Sequence, residues 1–138
     1  MNGELLLDTC AIIWSAGESG PVNQLKEIIN PAFARGETIW TSPISAWELG
    51  NLARKGAHTA IRPPLRWYEE TCARAGLKEV VLSARILVGS TELPGDIHGD
   101  PADRILIATA REMGLRIVTR DRAIIDYAKR GHVLAVAC

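Results

Sequence analysis

The sequence predicts an α/β protein, a three-layer α/β/α sandwich around a parallel sheet of about five strands. Three observations predict it. Short runs at Leu5 to Asp8, Thr38 to Thr41, Glu79 to Leu82, Arg116 to Thr119 and Val133 to Val136 carry apolar residues consecutively, not alternately. That is the pattern of strands buried on both faces. Segments with helical spacing lie between these runs, and strands alternating with helices require parallel crossovers. The chain has 138 residues, 47% of them hydrophobic and 23% charged. A chain of this size buries roughly 68 to 70% of the surface its unfolded form exposes, enough for one domain, residues 1–138, without disulfides or a structural metal.

The elements follow in order. The first run leads directly into a helix over Thr9 to Ala16, and a second helix covers Val22 to Arg35. Ser42 before Pro43 pairs a side-chain acceptor with proline at the first helical position, which starts a helix running to Lys55. A further helix spans Pro64 to Ala75, and a shorter one Ser83 to Thr91. Asp100 before Pro101 repeats the capping signal and opens a helix to Met113. The last helix covers Arg122 to Arg130. Gly56, Gly76, Gly114 and Gly131 sit where helices stop. No internal repeat or low-complexity tract interrupts this order.

Composition excludes several classes. The 16 Lys+Arg balance 16 Asp+Glu, giving a formal net charge of zero. A general nucleic-acid coat protein is strongly basic, so any basic surface here is local. The longest apolar stretches, Ala11 to Trp14 and Val133 to Cys138, fall far short of the ~20 residues of a membrane helix. Met1-Asn2-Gly3-Glu4 lacks the positive residues that open a secretory signal, so a cytoplasmic protein with no membrane association is expected. Cys10, Cys72 and Cys138 are an odd number without C-x-x-C spacing and read as plain thiols.

Four acids carry the chemistry. Binding sites of open parallel sheets form outside the carboxyl ends of the strands. Asp8 closes the first strand, and Asp121 follows Ile117-Val118-Thr119 by two positions. Glu48 lies in the second turn of the helix opened by Ser42-Pro43, and Asp103 in the first turn of the helix opened by Asp100-Pro101. All four belong to one rim. Ile44 and Leu52 lie four residues before and after Glu48, so that helix points a charge inward. Singly, each acid has a structural explanation: a turn residue for Asp8, a helix-dipole partner for Asp103, an N-cap for Asp121, a surface acid for Glu48. Asp100 reads as a cap and Asp126 as a solvated acid. Together, crowded carboxylates must bind protons or a cation, and an all-oxygen set without paired histidines favours Mg²⁺ or Mn²⁺ over Zn²⁺.

The segments Leu5-Leu6-Leu7-Asp8-Thr9, Ile44-Ser45-Ala46-Trp47-Glu48-Leu49, Asp100 to Ala110 (DPADRILIATA) and Val118-Thr119-Arg120-Asp121 resemble the four motifs of PIN-domain ribonucleases. More narrowly, they resemble the VapC toxins of bacterial toxin–antitoxin modules, from Leu5 to about Val136. The resemblance implies a PIN-like α/β/α fold, a divalent-metal site and endonucleolytic cleavage of RNA. It also implies a small antitoxin as partner and a homodimer. Carried over position by position, Asp8, Glu48, Asp103 and Asp121 match the acidic catalytic and metal-site residues. Thr119 matches a supporting hydroxyl, and Thr9 the small polar residue after the first acid. Cys10 stands where many relatives have His.

Beside the acids, Arg104, Arg120 and Arg122 each adjoin a site acid in sequence and are candidate phosphate binders; as ordinary solvated or ion-paired charges they are equally well explained. Trp14, Trp40, Trp47 and Trp67 include candidate base-stacking rings, although most such residues belong to core or interface. His98, between Asp96 and Asp100, reads as a loop residue, since a histidine-based metal site brings a second histidine. Two functional alternatives stand against a metal-dependent toxin ribonuclease. One is a catalytically silent PIN-like module acting through protein contacts. The other is an aspartyl-phosphate phosphatase, disfavoured because Cys10 and Ala11 follow Asp8-Thr9 where that chemistry places a second Asp.

Overall fold

A computed structural model describes residues 3–17, 20–57 and 59–138. Its elements run β1 (Leu5–Leu7), α1 (Thr9–Ala16), α2 (Val22–Ala34), β2 (Ile39–Thr41), α3 (Pro43–Arg54), a 3-10 turn (Thr59–Ile61), α4 (Pro64–Ala75), β3 (Leu77–Glu79), α5 (Ala84–Gly89), α6 (Pro101–Met113), β4 (Arg116–Thr119), α7 (Arg122–Lys129) and β5 (Leu134–Ala137). The strands form one five-stranded sheet in the order β3-β2-β1-β4-β5, and every pair is parallel. Among the described residues no helix is long and apolar enough to cross a membrane.

Period-two alternation along the central strands builds the layers. Leu5 and Leu7 of β1 and Val118 of β4 pack with Ala11, Ile12, Leu25, Leu49 and Tyr68, from α1 to α4. Leu6 and Ile117, one residue out of phase, point to the other face and pack with Leu106, Ile107, Ile124 and Tyr127 of α6 and α7. Both faces of the sheet are covered, which is why the strands read as unbroken apolar runs. Gly76 and Gly114 end α4 and α6 with φ of 69° and 68°, the left-handed conformation that glycine adopts without steric cost.

The third strand differs from expectation. It occupies Leu77–Glu79, directly after Gly76, and not Glu79 to Leu82. The reason lies in its neighbour among the described strands: β2 ends at Thr41, because Ser42 already caps α3. Leu77, Lys78 and Glu79 pair with Ile39, Trp40 and Thr41, and the Val80 N–H makes the last ladder bond to Thr41 O at 2.8 Å. Beyond it nothing remains to pair, and Val81 is 82% exposed. Helix α5 is also shorter than expected, since Ser83 is its N-cap and accepts from Ile86 N–H at 3.2 Å.

The strand order contains a reversal. From β1 the chain moves outward to β2 and β3, then returns past β1 to β4 and β5. The crossovers from β1 and β4 therefore leave in opposite directions, which opens a crevice at the carboxyl ends of these two strands.

Candidate metal centre

Asp8 lies at that crevice. Its N–H continues the ladder to Val118 O at 3.2 Å, and its side chain caps α1, with Oδ1 accepting from Ala11 N–H at 2.8 Å. Oδ2 accepts from the Thr119 hydroxyl at 2.5 Å. Both oxygens are held, and the residue is only 7% exposed. Burial raises its pKa above the ordinary carboxylate value; the Thr119 and Ala11 bonds oppose this, while the charge of Asp121 adds to it.

Asp121 enters from β4 across the switch point. It caps α7, with Oδ1 accepting from Ile124 N–H at 3.0 Å, and its own N–H donates to Thr119 Oγ1 at 3.0 Å. Glu48 comes from α3. The fully buried stripe of that helix is Ser45, Leu49 and Ala53, one residue removed from the Ile44 and Leu52 stripe expected to carry Glu48 inward. Glu48 is consequently half-buried at the edge of the packed face, where Oε1 accepts from the Thr9 hydroxyl; Thr9 Oγ1 also hydrogen-bonds Ser45 Oγ at 3.0 Å. Burial raises the Glu48 pKa, the Thr9 bond opposes the rise, and the charges of Asp100 and Asp8 add to it. Asp103, in the first turn of α6, is pushed up to about 7, first by burial and then by Asp100, Asp121, Glu48 and Asp8.

These side chains line one cavity of about 410 Å³, together with Thr9, Cys10, Trp14, Asp100 and Arg120. Asp100 is a fifth carboxylate on its wall. It is the N-cap of α6, as its sequence position indicates, with Oδ1 accepting from Ala102 N–H (3.0 Å) and Asp103 N–H (3.3 Å), yet its charge also raises the pKa of Asp103 and Glu48. The Cys10 thiol is raised to about 11 by burial and the surrounding carboxylates, so it stays a neutral S–H and not a thiolate nucleophile.

The three arginines separate. Arg120 lines the cavity; its Nε donates to Cys138 O at 2.6 Å, and its guanidinium stacks 5.7 Å above the Trp14 ring. Arg104 instead turns to the preceding loop, donating from Nε to Ser90 O (2.8 Å) and from Nη1 to Ile97 O (3.3 Å). Arg122 is exposed at the start of α7 and is not part of the cavity wall.

His98, read from the sequence as a loop residue, does lie in a loop, but one that carries it to the acids. Its loop is pinned by Arg104, by the Tyr127 hydroxyl donating to Pro94 O, and by Arg130 Nη2 donating to Asp96 O at 2.6 Å. The imidazole is thereby held with Nε2 3.4 Å from Asp103 Oδ2 and 3.9 Å from Asp121 Oδ1. Nδ1 accepts from Asp100 N–H at 3.2 Å, so the ring proton resides on Nε2 and faces the acids. A lone histidine in a loop has no periodicity by which the sequence could reveal this.

The donor set fits a hard divalent cation. Carboxylate oxygens from four separate elements converge, the two of Asp8 each oriented by one fixed donor with a lone pair left for a cation, and the acids raise one another's proton affinity. His98 Nε2, Asp103 and Asp121 offer ligand atoms within 4.8 Å of one another. With its proton on Nε2, the imidazole stands beside the acids at 3.4 and 3.9 Å as a neighbour and not as a ligand.

A parallel sheet whose switch point carries a converging carboxylate cluster defines an α/β protein with a candidate divalent-cation centre. The chain belongs to the PIN-domain family, whose model matches residues 5–130. It is similar to Ribonuclease VapC22 of Mycobacterium tuberculosis, 29% identical over 120 residues that cover 87% of this chain and 88% of the relative. Solved structures share the fold. VapBC2 from Rickettsia felis, bound to a DNA fragment from its promoter, matches with a TM-score of 0.71 and 17% identity, covering 96% of this chain and 97% of the other. DNA-bound VapBC from Salmonella typhimurium matches with a TM-score of 0.68 and 16% identity, covering 98% of each chain.

Proposed function

We propose that this chain is a metal-dependent endoribonuclease, the toxin of a two-component toxin–antitoxin module. The observation that carries the reading is the convergence of Asp8, Glu48, Asp103 and Asp121 on one cavity, with Asp8 almost wholly buried and both its oxygens anchored. Membership in the PIN family and likeness to a protein named as a VapC ribonuclease support the activity. Neighbours that are VapBC complexes support a small antitoxin as partner. A homodimer working in the cytoplasm completes the reading.

Asp8 and Asp103 are assigned to direct ligation of Mg²⁺ or Mn²⁺, with Glu48 and Asp121 ligating or orienting the attacking water, one of them accepting its proton. When bound, the cation supplies Lewis-acid stabilisation of the charge that develops on phosphorus and makes hydroxide available at neutral pH. The protein's own part is preorganisation. Thr119 and the first turn of α1 fix Asp8, and Thr9 fixes Glu48, so the donors need little rearrangement during the reaction. Arg120, braced on Cys138 O and Trp14, is the cation placed to receive a phosphate at the cavity mouth. Arg104 acts as a positioning residue for the His98 loop.

Purified protein should cut RNA with Mg²⁺ or Mn²⁺, lose the activity in EDTA, and lose it on Asp8→Asn. Cutting that needs no metal and survives Asp8→Asn would defeat the proposal. Binding to RNA or to a protein partner without turnover, in the presence of metal, would favour the silent interaction module instead.

A further inference from the structure

Next to the acid cavity lies a second one of about 460 Å³, within the ~300 to 1,000 Å³ of ordinary ligand clefts. Thr9, Cys10, Glu48 and Asp100 line both, so the two are parts of one continuous groove. The second part is built on one stripe of α3: Trp47, Asn51 and Lys55, spaced four residues apart, all face it, with Ile13 of α1 and Leu52 as its apolar wall. Trp47 is 55% exposed, which leaves its indole face open to the groove. From Trp47 to Lys55 the stripe extends about 12 Å. It offers an aromatic ring beside the acids, an amide in the middle and an ammonium at the far end.

We infer that this groove holds single-stranded RNA on one side of the cleaved bond, with a base stacked on Trp47 and a neighbouring phosphate paired with Lys55. The inference rests on the ribonuclease reading and names the part of the substrate that the chain grips. Three features favour RNA as occupant. A strand whose phosphate lies on the acids must send its adjoining nucleotide into one of the flanking spaces, and this one is continuous with them. An aromatic face stacks any base, which binds single strands without requiring a sequence. Lys55, the cation of this second part, stands away from the acids, where it can meet a phosphate without being neutralised by the carboxylates. Asn51 lies between the two, with donor and acceptor within reach of a base edge.

The test is steady-state cleavage of short single-stranded oligoribonucleotides with Mg²⁺ or Mn²⁺. Trp47→Ala should raise KM about 10-fold or more with little change in kcat, because stacking is made equally in ground and transition states. Trp47→Phe, which keeps a ring, should restore most of the loss, and Trp47→Leu should not. An abasic nucleotide placed at successive positions around the cut should abolish the difference between wild type and Trp47→Ala at one position. Lys55→Ala should raise KM and lower the slope of log affinity against log salt by about 0.7, the loss of one phosphate contact. Wild-type KM values for Trp47→Ala and Lys55→Ala on every oligonucleotide would overturn the inference while leaving the ribonuclease reading intact. So would variants that cut RNA normally but lose inhibition by a protein partner, since the groove would then be a protein-docking face. Absence of any cleavage by the wild type would instead sink the ribonuclease reading, and the groove assignment with it.

Discussion

The Thr119 hydroxyl donates to Asp8 Oδ2 across 2.5 Å, linking the ends of two neighbouring strands. The same oxygen accepts from Asp121 N–H at 3.0 Å, so one side chain, itself wholly buried, sets the separation of two acids that the chain places 113 residues apart (121 − 8). A hydroxyl is suited to this, because it is donor and acceptor at once.

Thr119→Val should therefore damage both partners while preserving shape. Asp8 loses the donor that opposes its burial, and the Asp121 N–H loses its acceptor. Stability should fall by ~1 to 3 kcal/mol, the cost of leaving a buried polar group unpaired. Mn²⁺ affinity should fall by ~10- to 100-fold, as when an outer partner of a ligand is removed. Thr119→Ser should retain most of both. Urea unfolding and calorimetric titration of Mn²⁺ would measure the two effects, and a Val variant with unchanged affinity would remove Thr119 from the site.

Asp103 provides a pH prediction. Its carboxyl is raised to about 7, from 3.8, mainly by burial, so the folded metal-free protein holds a proton that the unfolded chain releases. The associated stability is fully present below the unfolded value and is lost as pH rises through about 7. Metal-free protein in EDTA should melt at lower temperature at about pH 8 than at about pH 5.5. Saturating Mg²⁺ should reverse the trend, because the ion binds the deprotonated site and its stabilisation grows with pH. Asp103→Asn should flatten the metal-free profile and abolish RNA cleavage. Thermal melts across that range would decide it, and a wild-type profile that rises with pH in EDTA would contradict the coupling.

Much of the fold was legible because burial on both faces leaves a direct mark: the runs around Leu5 to Leu7 and Arg116 to Thr119 are apolar without alternation, and Ser42-Pro43 and Asp100-Pro101 announce their helices. Asp8 and Asp121 could be placed on one rim because the first directly follows such a run and the second follows one by two positions. The misplaced third strand shows the limit. Val80, Val81 and Leu82 have strand composition, but pairing is decided by where β2 stops, a fact about a different segment. The register of α3 was off by one position for a related reason: Ser45 is fully buried against Thr9, and a small polar residue gives no hydrophobic signal. His98 and the diverging fates of Arg104 and Arg120 depend on loop contacts with Ser90, Ile97, Pro94 and Cys138, which have no counterpart in local pattern.

Arg104 and Arg120, alike beside an acid in sequence, should respond differently to truncation. The Arg104 guanidinium is spent on Ser90 and Ile97 carbonyls, so Arg104→Ala should free the loop that presents His98. Proteolytic nicking within residues 92–99 should increase, and kcat should fall while KM for RNA stays near wild type, since no contact to substrate is removed. Arg120→Ala removes a cation from the cavity wall itself. There KM should rise about 5- to 50-fold, in line with loss of one charge-assisted contact of ~1 to 2.3 kcal/mol, and the salt slope of binding should decrease. Arg120→Lys should recover only part of the loss, because a point charge cannot both stack on Trp14 and fork toward a phosphate. If truncating Arg104 raised KM and truncating Arg120 left it unchanged, the division of labour between these arginines would be the reverse of the one their hydrogen bonds describe.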